Sequence, residues 1–331
     1  MDNKVIVDNE SKSNIRNQIG KIDFSKYGPL IALIVLFIIS AITSPYFLKP
    51  RNLLNILRQV SYTGIIALGM TFVIISGGID LSVGSMIALV GGIVILVLNY
   101  FGGGLMAIII AIILGILVGS GFGAINGLIV TKGKVAPFVA TLGTMAIFRS
   151  LTLYISGAGE FRSISNIYPK LGMGYFLGIP IPAWILIGFT VFFSIILNHT
   201  RYGRYICAVG SNERVAKYSA IKVNYIRFIS YVIVGFNVAI ASVLLSSRLN
   251  SISSSNAGSG FELDAIAAVV IGGTSMAGGS GSVIGTLIGV ITLGIINNML
   301  NMLGVSPYLQ GTVKGLVIIG AVLLQRKDRG I

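Results

Sequence analysis

HTRYGRYICAVGSNERVAKYSAIKVNYIR, residues 199–227, is a large polar loop held between two long apolar runs. It carries six Lys and Arg. Nearly everything around it is built to sit in lipid. Of 331 residues, 54% are hydrophobic and only 10% charged, with a mean hydropathy of +0.91. Soluble domains carry about a quarter charged residues. Apolar runs of about 20 residues recur along the whole length, as transmembrane helices require. A soluble fold of this composition would need a core larger than its surface could cover. In a soluble protein the net charge of +14 would suggest nucleic acid. Here the cations cluster in loops, so topology explains them and no nucleic-acid partner is expected. Cys207 is the sole cysteine, which excludes an internal disulfide framework and leaves it as a small apolar filler. The first apolar run follows a charged lead of 27 residues, too long for a secretory leader.

The expected fold class is all-α, a polytopic membrane protein of about ten spans. They run roughly over 28–44, 54–76, 82–99, 105–130, 136–156, 183–198, 226–248, 265–277, 283–303 and 309–325. The stretch 265–277 is short and reads as re-entrant or broken, which is allowed where backbone lines protein or a watery path. With the N-terminus inside, sixteen Lys and Arg fall on 1–27, 131–135, 199–227 and 326–331. Six fall outside: Lys49, Arg51, Arg58, Arg162, Lys170 and Arg248. This bias puts both termini in the cytoplasm. The chain then divides into a cytoplasmic segment 1–27, a transmembrane domain 28–325 interrupted by the cytoplasmic loop 199–227, and a tail 326–331. In the outer loop 157–182 and just beyond it, Tyr168, Tyr175 and Trp184 fit an interfacial aromatic belt.

Two segments echo each other. VIISGGIDLSVGSMIALVGG (Val73–Gly92) and AVVIGGTSMAGGSGSVIGTLIG (Ala268–Gly289) align Gly77-Gly78 with Gly272-Gly273 at an offset of 195. Each pair follows an apolar run and precedes a small polar stretch. Weak internal repeats with broken helices mark the path in many transporters. Gly77, Gly78, Asp80, Ser82, Gly272, Gly273 and Thr274, with Ser85 and Ser275, are therefore the candidate pathway or gate residues. Asp80 has an alternative role, capping the next helix. Gly115, Gly119, Gly123 and Gly127 fall every fourth residue and read as a close-packing face. Arg149 and Lys314 lie inside spans, where charges face protein or water. Within the polar loop, Ser211–Ile221 can form a short helix on which Asn212, Ala216 and Ala220 share a face. Small residues there would admit another protein's surface.

The segment GRYICAVGSNERVAKYSAIKV (Gly203–Val223) resembles the cytoplasmic coupling segment of ribose-type sugar permeases of bacterial ATP-binding-cassette importers. The same family is resembled by SPYFLKPRNLLNIL, GMTFVIISGGIDLSVGS, PFVATLGTMAIFRS, TRYGRY, GFELDAIAAVVIGGTSMAGGSGSVIGTLIG and NNMLNMLGVSPYLQ, together covering roughly 28–325. One departure is visible: the family's coupling segment usually ends in Gly-Ile, and this chain has Ala220-Ile221.

The resemblance implies a pore-forming subunit in the bacterial cell membrane. It would work as a pair of permeases, expected as a homodimer of this chain, with two cytoplasmic ATPase subunits. An extracytoplasmic binding protein would deliver a monosaccharide, ribose in the first instance. Asn212, Ala216 and Ile221 would be the ATPase contacts, and Mg-ATP would sit on the partner, with no cofactor in this chain. The chain has no Gly-x4-Gly-Lys-Ser/Thr loop, and His199 is its sole histidine, so no catalytic or metal site is expected. The alternative is an ion-coupled secondary transporter, which needs a carboxylate on the path, with Asp80 the main candidate. The sequence shows no obvious sugar site in the pore, so selectivity is expected to reside mainly in the binding protein.

Overall fold

A computed structural model describes residues 24–306, 309–316 and 319–320. The segment 1–23 and the tail 326–331 lie outside the described residues, as does much of the span expected over 309–325.

The long helices fall where the apolar runs predict them. They are α1 (Phe24–Thr43), α2 (Pro50–Ile75), α3 (Val83–Tyr100), α4 (Leu105–Thr131) and α5 (Pro137–Ser156). After a structured connection come α7 (Ile181–His199), α10 (Val223–Leu249) and α12 (Val283–Met302). Between these lie the short helices α6 (Pro169–Met173), α8 (Arg201–Ser211), α9 (Glu213–Tyr218) and α11 (Phe261–Ile271). Seven described helices, α2 to α5, α7, α10 and α12, are long and apolar enough to cross a membrane, and α1 contributes a shorter apolar stretch, Gly28–Thr43. The count of ten therefore needs correction at 265–277. At about 1.5 Å per residue, the 11-residue α11 reaches about half of the roughly 30 Å hydrocarbon layer.

Helix α10 is the central element, packed along α4, α2 and α3. Its contact with α4 is backbone on backbone. A Cβ at Gly119 would meet the Gly235 carbonyl at 2.8 Å, and one at Gly123 or Gly235 would strike the opposite main chain. The every-fourth-residue glycines thus form one face, while Ile109, Ile113 and Leu117 of the same helix stay exposed for lipid. Helices α11 and α12 form an antiparallel hairpin by the same device, with Gly272 against Gly285 and Gly289 against Ala268.

The connection 157–182 holds two small antiparallel pairs. Strand β1 (Glu160–Arg162) pairs with β4 (Ser251–Ser253), placing Phe161 opposite Ile252. Strand β2 (Tyr175–Phe176) pairs with β3 (Ile179–Pro180). Phe161 and Ile252 close over Ile95, with Gly92 and Gly91 beneath them. Tyr168 departs from the belt expectation: it is fully buried, and its hydroxyl bonds Ser246 Oγ at 2.6 Å and donates to the Val243 carbonyl at 3.1 Å. Tyr175 and Trp184 remain exposed. Arg149 donates to the carbonyls of Ser254 and Ala257 at 2.8 and 2.9 Å, which fastens α5 to the loop before α11.

Candidate functional site

The polar loop is two helices in succession. Thr200 caps α8 by accepting from Gly203 N at 3.2 Å. Asn212 is extended and caps α9, its Oδ1 accepting from Arg214 N and Val215 N at 3.0 and 3.2 Å. The chain therefore breaks at Asn212, and the single helix expected over 211–221 is a six-residue turn of helix. Asn212, Ala216 and Ala220 do not share a face, because the first is a cap and the last a stop. Ala216 is buried against its own chain, and Ile221 is half-buried. Asn212, Arg214, Lys217, Ser219 and Ala220 are exposed, and the apolar part of the outward surface is Val215 and Tyr218, 57% and 91% exposed.

Six helices end in the same Schellman cap, with an N–H reaching back five residues: Gly78 to Val73, Gly103 to Leu98, Ala158 to Leu153, Ile221 to Ala216, Thr274 to Val269 and Val305 to Leu300. Each needs a left-handed residue, which is Gly77, Gly102, Gly157, Gly273 and Gly304 in five of them, and Ala220 (φ 57°) in α9. An L side chain in that region costs roughly 1–2 kcal/mol. Ala220→Gly is expected to raise the thermal midpoint of the purified protein, a gain of about 1 kcal/mol, and an unchanged or lower midpoint would contradict the strain.

Helices α8 and α9 are fastened to both helix breaks. Glu213 pairs with Arg227 at 2.8 Å and with Lys217. Arg227 Nε then donates to the Ser76 carbonyl, at the end of α2, at 3.2 Å. Tyr231, one turn on, donates to the Ile79 carbonyl at 3.2 Å. At the other side, Gly210 lies directly on the Ile75 carbonyl and on Gly279, and Gly279 N donates to that carbonyl at 2.9 Å. The loop 272–282, the end of α2 and the end of α8 thus meet at one point. The hydrogen bond from Lys217, followed by Arg227, holds the Glu213 carboxyl below the usual range. Its charge, and with it the link, persists at neutral pH and is lost only as pH falls through that lowered value.

The pathway candidates divide. Gly77 and Gly78 line a cavity of about 740 Å³ at this end of the bundle, with Lys134, Glu213, Arg227 and Tyr231 among its other walls. Asp80, Ser82 and Thr274 are fully buried. Asp80 Oδ1 accepts from Ser82 N at 2.9 Å and Ser82 Oγ at 2.6 Å, and Oδ2 accepts from Asn126 at 3.1 Å. The carboxylate therefore braces the turn ahead of α3 through Ser82, while the first N–H groups of the helix take no side-chain cap. At the second break Gly272 is enclosed by Gly285, and Ser282 caps α12 through Gly285 N at 3.0 Å. Thr71 and Thr286 hydroxyls bond at 2.8 Å between α2 and α12. The left-handed residues are Gly77 and Gly273, one residue away from the register in which the sequences align. Because four other helices end likewise, the likeness is one of cap geometry. Sequence reasoning passed over Arg227 and Gly279, which carry the links. The signal was there only as an Arg just inside a span and an extra Gly pair, Gly278-Gly279.

The family described as "Branched-chain amino acid transport system / permease component" matches residues 52–322. The chain is 49% identical over 304 residues to the ribose import permease protein of Bacillus subtilis (strain 168), covering 91% of this chain and 93% of that one. It is 45% identical, with the same coverage, to the ribose import permease protein of Escherichia coli (strain K12). The D-allose transport system permease protein of Escherichia coli (strain K12) is 38% identical, covering 92% of each chain. No solved structure matches the chain. A coupling-type loop fastened to two broken helices inside an apolar bundle, and identity near one half along almost the entire length, place this chain in the branched-chain amino acid transport system permease family, as a ribose-type permease subunit of an ATP-binding-cassette importer.

Proposed function

We propose that this chain forms, with a second copy of itself, the membrane path of an importer for ribose in the bacterial cell membrane. A cytoplasmic ATPase, holding Mg-ATP, docks on α9, and an extracytoplasmic binding protein delivers the sugar. Both termini are cytoplasmic in this reading, and the 740 Å³ cavity opens inward. The observation that carries it is the link from α9 through Glu213 and Arg227 to the Ser76 carbonyl. A push on α9 reaches the Gly77-Gly78 break through two polar contacts rather than through soft side chains. The two breaks act as the gate, whether or not they descend from one repeat. An ion-coupled mechanism finds less support, since three donors already satisfy Asp80.

Proteoliposomes holding this chain with its ATPase provide the test. Ribose-loaded binding protein is expected to stimulate ATP hydrolysis over the unloaded form. Uptake that follows a proton gradient and ignores ATP depletion would overturn the reading.

A further inference from the structure

One side of α5 carries charge at mid-depth. Met145 and Arg149 stand about 12 and 18 Å along the helix from Pro137, at about 1.5 Å per residue. In a hydrocarbon layer of roughly 30 Å both lie near the middle. They line a cavity of about 390 Å³ together with Ser85 of α3 and with Ser255, Ser259 and Glu262, from the loop before α11 and its first turn. Charged groups at this depth face water or protein rather than lipid.

The polar groups of the cavity are held in place and left open. Arg149 spends Nη1 and Nη2 on the carbonyls of Ser254 and Ala257, at 2.8 and 2.9 Å. The Glu262 carboxylate rests on the backbone of Gly84, where no Cβ would fit. Among the described residues no ion pair joins Arg149 to Glu262, so a cation and a carboxylate stand apart in one cavity. Ser85 is 4% exposed, and its hydroxyl has no hydrogen-bond partner among the described residues. Thr71, Thr141 and Thr152, also buried, return their hydroxyls to the carbonyl four residues back. Ser85 is the third residue of α3 and has no helical turn behind it. Unlike the Asn126 and Asn237 oxygens, which are sealed, its hydroxyl opens on the cavity. A buried hydroxyl left unpaired is costly, and in native proteins it usually meets water or a ligand.

We infer that this cavity is a subsite for a neutral monosaccharide on its way across the membrane. The inference deepens the proposed function and rests on its reading of the cargo as a sugar. The lining carries one charge of each sign. A phosphate would be opposed by Glu262, and a metal cation by Arg149. A zwitterionic amino acid would need the guanidinium for its carboxylate, and both terminal nitrogens of Arg149 are already engaged. Sugar hydroxyls both donate and accept, so they match the Ser85, Ser255 and Ser259 hydroxyls and can donate to Glu262. Met145 gives the C–H side of the sugar a soft apolar wall. The volume is that of a pocket for one small ligand.

Saturation-transfer difference NMR on the full chain in lipid nanodiscs is the test, with D-ribose, D-allose, L-arabinose, L-leucine and inorganic phosphate as probes. D-Ribose is expected to give a signal that half-saturates on the order of 1 mM. Ser85→Ala removes one hydroxyl and keeps the packing, and should weaken binding about three- to tenfold. Ala146 is exposed on the wall of the cavity, so Ala146→Trp fills the space without entering the packed interior and should abolish the signal. The thermal midpoint reads folding of each variant, and Ser85→Ala decides alone if the Trp variant does not fold. The subsite is overturned if none of the three sugars gives a signal, if the signal is unchanged in the folded variants, or if L-leucine or phosphate displaces it. A signal from D-allose or L-arabinose alone, weakened by Ser85→Ala, supports the subsite and moves the cargo away from ribose. With the ATPase added, stimulation by ribose-loaded binding protein reads the permease function separately. Stimulation without any sugar signal keeps that function and removes the subsite, whereas a signal without stimulation keeps the subsite and removes the importer reading.

Discussion

Tyr218→Asp is expected to lower ribose-stimulated ATP hydrolysis by at least about 30-fold while leaving membrane insertion and the thermal midpoint unchanged. Tyr218 is 91% exposed on α9, next to Val215 at 57%. In a soluble face, two such residues on a six-residue helix would be a liability; in the docking proposed for α9 they would be the anchor. Tyrosine in the centre of an interface commonly carries 2 kcal/mol or more. An aspartate in its place would carry a charge into the desolvated contact. Because the side chain touches little of its own chain, the fold should tolerate the change within about 0.5 kcal/mol. Co-purification of the ATPase with the variant is the direct readout. Full association and full stimulation would move the docking surface away from α9. A test at Ala216, which the resemblance implies as an ATPase contact, would mislead, since that side chain is buried and a larger residue there would lever α9 off its own bundle.

Gly235→Val is expected to prevent assembly of the bundle, seen as loss of monodisperse protein in detergent. The added Cβ would collide with the carbonyl of Gly119 and the backbone of Gly123, neither of which can rotate away. Overpacking a core costs typically 1–3 kcal/mol and more when main chain must move. A domain is stable by about 5–15 kcal/mol, and α10 is its central helix. Gly121→Ala supplies the contrast: nothing lies within 4 Å of a Cβ there, so yield and midpoint should hold. Equal behaviour of the two variants would refute the close-packed face.

Helix positions were legible in the chain because lipid imposes one rule, an apolar run of sufficient length, and α2 to α5, α7, α10 and α12 obey it. The glycines every fourth residue on α4 were legible for the same reason. What could not be read was which contacts close in space. Nothing in the spacing joins Glu213 to Ser76, since the Arg227 that links them lies 151 residues from Ser76. Asn212 was read as a member of a helical face, yet an Asn can equally end a helix, and capping prevailed. Asp80 was flagged as an intramembrane charge, and its neighbours Ser82 and Asn126 decided its role.

The half-length α11 constrains how the chain is made. A segment that leaves the ribosome and cannot bridge the bilayer has no stable resting place as a solitary insert. Its polar turn, 272–282, finds its partners on Ile75 and Gly210, which are synthesised earlier, and on Gly285, which comes next. The expected order of insertion follows from these contacts: the earlier helices form a receptacle, and α11 enters together with α12. The polar turn therefore seats only after the helices that carry its earlier partners.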